Sequence, residues 1–188
     1  MSSRRIPTAT YRLQFNRELR FDNARELVPY LHTLGITELY ASPLLEARRG
    51  SPHGYDVTVP GRLNPELGGT QPFEMLAETL KVYNMGLVLD IVPNHMAAGS
   101  ENPWWRDVLR FGQASLYASL FDIDWQPARP GLSGKVLLPV LGASYGRTLE
   151  NGELKLIVAE DGLWVTCQGE RYPLSPASTC TILTQWSS

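Results

Sequence analysis

The segment that most restricts what this chain can fold into is Gly86–Val92, GLVLDIV, which is apolar at nearly every position and interrupted only by Asp90. A strand of an antiparallel sheet with one wet face alternates apolar and polar residues. An unbroken apolar strand needs cover on both faces, as in a parallel sheet flanked by helices. The residues before it supply the rest of such a sheet. Ala9–Phe15 (ATYRLQF) alternates in the manner of a strand and is rich in β-forming types. Asp22 or Asn23 can cap a helix in which Leu27, Val28, Leu31 and Leu34 recur at helical spacing, and Gly35 stands where a C-cap is wanted. Ile36–Ala41 reads as a second strand. Thr70 can cap a second helix with the stripe Phe73, Leu76, Ala77, Leu80 and Tyr83, which Gly86 would stop. Three strands joined by two helical crossovers predict a parallel α/β sheet of right-handed βαβ units. A doubly wound sheet and a (β/α)8 TIM barrel both fit. The first strand is not followed by G-x-G-x-x-G, which counts against a dinucleotide-binding fold.

The connection from Ser42 to Gly69 is polar and rich in Gly and Pro, and it predicts a long loop with little regular structure, of the sort that is either functional or disordered. The character of the chain changes after Asn102-Pro103. A short helix with Pro at its first position (PWWRDVLRFG) precedes a turn-rich region. There Glu150-Asn151-Gly152 and Glu160-Asp161-Gly162 predict hairpin turns beside Leu154–Ala159 and Leu163–Cys167. The expected division is therefore 1–102, with about three βα units, and 103–188, a small β-rich subdomain. A closed (β/α)8 barrel takes about 250 residues and eight repeats. This chain reads as the first part of one, truncated before the rest.

Composition removes several classes of function. With 17 basic and 19 acidic side chains, the net charge of −2 leaves no basic footprint for nucleic acid. Apolar runs are strand-sized, well short of the roughly 20 residues that span a bilayer, and Met1–Pro7 has two arginines but no apolar leader core. Cys167 and Cys180 lack metal-ligand spacing, and two reduced thiols are favoured over a disulfide. The expectation is a soluble cytoplasmic protein without a cofactor, nucleic-acid or membrane partner. Nothing indicates its oligomeric state.

Loops at the C-terminal ends of parallel strands are where α/β enzymes build their sites. Two here are unusually polar. In Ser51–Asp56 (SPHGYD), Tyr55 offers a ring to stack on a sugar face, while His53 and Asp56 can hydrogen-bond hydroxyls. The alternative is a polar surface loop that Tyr55 anchors to the core. In Asp90–His95 (DIVPNH), Asp90 lies inside the predicted strand and needs a partner if buried, while Asn94 and His95 occupy the exit loop behind Pro93. Either His95 contacts a substrate and Asp90 pairs with a cleft arginine, or Asp90 caps a turn and His95 is an ordinary loop histidine. Trp104, Trp105 and Trp125 fit core positions better than sugar platforms, and Arg48-Arg49 fits a solvated loop. The three histidines His32, His53 and His95 have no serine or cysteine in a nucleophile context, and no metal-ligand cluster is spelled out.

These two segments resemble conserved regions of the α-amylase superfamily, glycoside hydrolase family 13: DIVPNH its first conserved region, SPHGYD its histidine/tyrosine loop. The strings PTATYRLQF, HGYDV, RLNPELGG, GLVLDIVPNHMA and FDIDW…GKVLLPVLG…YG…LENGEL resemble the trehalose-forming branch of that family over essentially the whole chain. The resemblance implies a catalytic (β/α)8 barrel with a small domain inserted after the third strand, and a maltodextrin substrate. It implies an intramolecular transglucosylation that turns the reducing-end α-1,4 bond into an α,α-1,1 bond, through a carboxylate nucleophile and a carboxylic acid. Another glucan hydrolase or transferase of the superfamily, or a glucan-binding remnant without catalysis, are the alternatives. Carried over by residue, Tyr55 would stack on the transferred glucose, with His53, Asp56 and His95 around it. Asp90 would act through a family arginine, and Asn94 matches a calcium-binding position of some relatives, without a metal being expected here. The family's catalytic carboxylates would come from later strands, so none is assigned in this chain. Val59 and Pro52 depart from the family pattern in the same loop.

Overall fold

The computed structural model describes residues 6–129 and 131–186. Met1–Arg5, most of the stretch in which no leader was read, lie outside the described residues. The chain forms two compact units, Met1–Ala97 and Ala98–Ser188.

The first unit runs β1 (Thr10–Leu13), α1 (Phe21–Thr33), β2 (Glu38–Ala41), β3 (Leu45–Ala47), β4 (Val57–Leu63), α2 (Thr70–Val82) and β5 (Gly86–Leu89). Strands β1, β2 and β5 form a parallel sheet in the order β1-β2-β5, as the alternation of strand and helix predicts. Register explains which side chains go where. Tyr11 lies opposite Leu39, which lies opposite Leu87; Leu13 lies opposite Ala41. Successive strand residues point to opposite faces, and on this face Leu13, Leu39, Ala41 and Leu87 join the helix-backed core. Helix α1 contributes Phe21, Ala24, Val28 and Leu31 to it, at three- and four-residue spacing. Helix α2 contributes Leu76 and Leu80. Phe21 ties the cluster together, its ring centroid 5.4 Å from both Phe15 and Phe73. The other face carries Arg12 opposite Tyr40 opposite Val88, and Asp90 continues that alternation one step past the strand.

The boundaries differ from the sequence expectation in instructive ways. Asn23 does not precede α1 but sits inside its first turn, where its Oδ1 accepts the Arg20 N–H at 2.9 Å; Arg20 is the N-cap. Gly35 (φ 87°) does take the left-handed position after α1. Thr70 is the first residue of α2, with Gly69 at the cap. Asn84 (φ 51°), not Gly86, supplies the left-handed turn after α2, freeing Gly86 to open β5. Asn tolerates that conformation nearly as well as Gly. All three predicted strands are shorter than expected, so Asp90 lies just beyond β5, its N–H still donating to Ala41 O at 3.0 Å.

The stretch from Ser42 to Gly69 is not structureless. It holds the antiparallel pair β3–β4 and a 3-10 turn at Pro65–Leu67, capped by Asn64 Oδ1 accepting the Glu66 N–H at 2.9 Å. Pro60-Gly61 inside β4 disguises the strand; the pairing tolerates them because its register is irregular.

The second unit contains α3 (Pro103–Phe111), α4 (Tyr145–Glu150), the strands β6 (Lys155–Ala159), β7 (Gly162–Cys167) and β8 (Glu170–Pro173), and α5 (Pro176–Trp186). Asn102 caps α3, its Oδ1 accepting from the N–H groups of Trp104 (3.0 Å) and Trp105 (3.1 Å), with Pro103 in the first turn. Glu160-Asp161 turns β6 into β7 as expected, but Glu150-Asn151-Gly152 ends α4 instead of joining two strands. The strand β8 and the helix α5 add to the expected elements, and the region is mixed α and β instead of β-rich. The β7–β8 turn is Gln168-Gly169, both at positive φ (50° and 83°), which a glutamine in the first position conceals. The start of α5 was legible: Ser175 Oγ accepts the Ser178 N–H at 3.1 Å, and a proline follows the cap. Trp105 is buried, whereas Trp104 stacks on Tyr117 with the planes 9° apart. Both cysteines are free, Cys167 buried and Cys180 exposed. Among the described residues no helix is long and apolar enough to cross a membrane.

Leu39 is fully buried at the centre of the parallel sheet. Leu39→Ala should destabilise the first unit by about 2–5 kcal/mol, from lost apolar burial and the cavity left behind. Urea denaturation followed by far-UV circular dichroism measures it, as a lower midpoint at unchanged slope.

Candidate functional site

The exposed face of the parallel sheet gathers its polar groups at the C-terminal ends of the strands. Arg12 comes from β1, Tyr40 from β2 and Asp90 from the exit of β5, three positions that register already places on one face. Tyr55 reaches in from the loop between β3 and β4. Asp90, with only 16% of its side chain exposed, is the acceptor they share. Its Oδ2 takes the Tyr55 hydroxyl at 2.5 Å and the Tyr40 hydroxyl at 3.2 Å, and Arg12 Nη2 stands 3.8 Å away. Arg12 Nη2 also donates to Tyr55 Oη at 3.1 Å, and its guanidinium lies over the Tyr40 ring at 5.5 Å.

The electrostatics follow from these contacts. The hydrogen bond to the Asp90 carboxylate holds the Tyr55 proton and raises that phenol above its ordinary range, with Arg12 opposing. The Tyr55 oxygen in turn raises the Arg12 guanidinium, so both groups keep their protons at any ordinary pH.

The loop behind Tyr55 is closed by its own side chains. Ser51 Oγ donates to Asp56 Oδ1 at 2.5 Å and accepts the Gly54 N–H at 3.0 Å. His53 Nδ1 accepts the Tyr55 N–H at 3.0 Å and stands 3.9 Å from Asp56 Oδ1. Gly54 is required: at φ +77° it is left-handed, and a Cβ would meet the Pro43 carbonyl oxygen at 2.8 Å. At the rim, Glu66 accepts from the Gly50 N–H (2.8 Å) and from Arg17 (2.9 Å), joining the loop to the segment after β1.

Of the residues singled out from sequence, Tyr55 and Asp90 meet directly, and His53 and Asp56 stand behind Tyr55. His95 and Asn94 are exposed, Nδ1 of the one 3.1 Å from Oδ1 of the other. Tyr40, Gln14 and Arg12 were missed. Their signal was period two: a charge in mid-strand at Arg12, in register with Tyr40 and on the parity of Asp90. Arg12, from β1, stands beside Asp90 at 3.8 Å. Among the described residues no group of three or more His, Cys, Asp or Glu side chains could hold a metal ion.

Comparison with known proteins bears on the family and the fold. The alpha amylase catalytic domain family matches residues 24–136, from α1 through the tyrosine loop and Asp90 into the second unit. The chain belongs to the alpha-amylase family. It is 42% identical over 166 residues to a putative maltooligosyl trehalose synthase of Mycobacterium tuberculosis, covering 80% of this chain and 21% of that protein. The maltooligosyltrehalose synthase of Arthrobacter ramosus superposes with a TM-score of 0.80 at 40% identity, over 92% of this chain and 22% of that one. The crystal structure of another maltooligosyl trehalose synthase gives 0.82 at 37% identity, over 89% of this chain and 22% of its own. The chain thus spans about a fifth of the length of these relatives. Its parallel sheet is part of a TIM-barrel fold, which decides between the two architectures the strand pattern left open.

Two outcomes test the loop. Gly54→Ala forces a side chain against a backbone oxygen at positive φ and should cost about 1–3 kcal/mol, read by urea denaturation. Glu66 is held below the usual carboxylate range, chiefly by the Gly50 N–H. Its contribution is therefore present above the unfolded value of about 4.3 and fades as pH falls through the lower folded value. Glu66→Gln should lower the melting temperature at pH 7 and narrow its difference from pH 3, measured by thermal denaturation at both.

Proposed function

We propose that this chain forms the opening wall of the sugar site in an enzyme that isomerises maltodextrins, converting the reducing-end α-1,4 linkage to an α,α-1,1 linkage. The observation that carries the reading is the convergence of Tyr55, Tyr40, Arg12 and Asp90 at the strand ends, in a chain similar over most of its length to maltooligosyl trehalose synthases. In this reading residues 1–102 supply the first three βα units of the barrel, and 103–188 form a subdomain inserted after the third strand. The enzyme would act in the cytoplasm, a reducing compartment that suits the free Cys167 and Cys180.

The chemistry assigned to this wall is binding and orientation. The Tyr55 ring offers an apolar face to a pyranose, and its hydroxyl is already engaged, so the ring rather than the oxygen meets the sugar. His53 and Asp56 hydrogen-bond hydroxyls from the loop, and His95, with Asn94 beside it, approaches from the exit of β5. Asp90 stays a supporting carboxylate: with two phenols and a guanidinium around one oxygen, it is committed to holding the wall. The nucleophile and acid of a retaining mechanism are assigned to other segments of the enzyme. Holding the released glucose until its anomeric hydroxyl attacks requires that water be kept out, since water at that step gives hydrolysis.

Expression from the whole reading frame, followed by incubation with maltopentaose, tests the reading. Loss of reducing ends without release of glucose or maltose is expected. A rise in reducing ends would instead assign the protein to the glucan hydrolases of the family. The 188-residue chain assayed alone should show no turnover of either kind.

A further inference from the structure

The tyrosine loop does not fix its own ring; strand β1 does. We infer that Arg12, working with Gln14, is a positioning group that sets the Tyr55 ring and thereby the affinity of the site for a glucan. This rests on the sugar reading above and adds the part of the molecule that controls it.

The argument starts from the donor and acceptor capacity of each group. A phenol oxygen has one proton to give. Tyr55 gives it to Asp90 at 2.5 Å, so Oη is left to accept, and Arg12 Nη2 fills that role at 3.1 Å. Engaged from both sides, the oxygen is fixed in position and the ring plane with it. Gln14 lies two residues after Arg12, just past the end of β1 and on the same parity. Its Nε2 donates to the carbonyls of Pro52 (3.3 Å) and His53 (3.2 Å), the residues that lead into Gly54 and Tyr55. An amide can do this only in one of its two flips, and Arg12 selects it: Nη1 donates to Gln14 Oε1 at 2.8 Å. The other flip would turn the amide NH2 toward the guanidinium and set the amide oxygen against two carbonyls. One guanidinium therefore governs two restraints on the loop, one at the ring oxygen and one at the backbone.

An ordinary surface ion pair is a weaker account of the same residue. Arg12 stands 3.8 Å from Asp90 with 37% of its side chain exposed, and pairs of that kind contribute little. Its shorter contacts go to Tyr55 and Gln14, and their planar, divergent geometry suits a guanidinium and not an ammonium.

The experiment uses the full chain with tyrosines carrying a carbon label at Cζ, Tyr55→Phe assigning the Tyr55 resonance, and circular dichroism confirming that each variant folds. Arg12→Met removes a donor to the phenol oxygen, so the Tyr55 resonance should shift at neutral pH and its ionisation should move further up. Arg12→Lys should restore only part of the shift. Titration with maltopentaose should give an affinity about fivefold weaker in Arg12→Met and in Gln14→Leu, the loss of about one hydrogen bond. A Tyr55 resonance unchanged in Arg12→Met overturns the positioning role. So does full restoration by Arg12→Lys of both resonance and affinity, since charge alone would then suffice. A resonance that shifts while the wild-type chain shows no saturable response to maltopentaose overturns the sugar reading and the affinity part of this inference, leaving only the mechanical coupling of β1 to the ring.

Discussion

The first unit is organised around one carboxylate. Asp90 follows the last residue of β5, and a charge placed there without partners would cost several kcal/mol. It is tolerated because Tyr40 and Tyr55 donate to the same oxygen and Arg12 lies beside them. Those partners come from β1, β2 and the β3–β4 loop, so satisfying the carboxylate brings four separate stretches of chain to one point. The hairpin, the tight turn at Gly54 and the closure of the loop by Ser51 are means of delivering Tyr55 to that point. The sheet has a finished face, packed by α1 and α2, and a polar one whose order depends on this network.

Much of this was readable from the residues, for reasons that differ by element. The helices were read from stripes such as Leu27, Val28 and Leu31, because burying one face leaves a period in the sequence. GLVLDIV was read because an unbroken apolar run leaves a strand no polar register to hide in, although the cover it calls for on both faces is not met within this chain, where Val88, Leu89 and Ile91 stay exposed. Helix ends were less secure, since Asn84 and Gly86 can each serve a left-handed turn and only the backbone reveals which one does. The hairpin β3–β4 was lost because Pro60-Gly61 is the usual mark of a break, and an irregular two-stranded pairing can absorb it. The β7–β8 turn was lost because Gln168 stands where Asn or Asp would announce it.

The candidate site was legible in its loops and obscure in its floor. Tyr55 and Asp90 stand in polar segments whose composition draws notice. Arg12, Gln14 and Tyr40 lie in strand sequence, where a reader looks for core. Their shared parity with Asp90 was available, but period-two reasoning applied to one strand at a time does not link residues 78 positions apart. Registration between strands is a property of the folded sheet, and it is what joins Arg12 to Tyr40 and Tyr40 to Asp90.

The distribution of aromatic residues gives the two units different optical signatures. All five tryptophans, Trp104, Trp105, Trp125, Trp164 and Trp186, belong to the second unit, while Tyr11, Tyr30, Tyr40, Tyr55 and Tyr83 belong to the first. Trp164 is buried with the guanidinium groups of Arg110 and Arg171 at 5.4 and 5.1 Å from its ring, and Trp104 lies flat against Tyr117. Emission excited at the red edge of the absorption band therefore follows the second unit alone. A ligand seated on the polar face of the parallel sheet would meet Tyr40 and Tyr55 and register in tyrosine absorption.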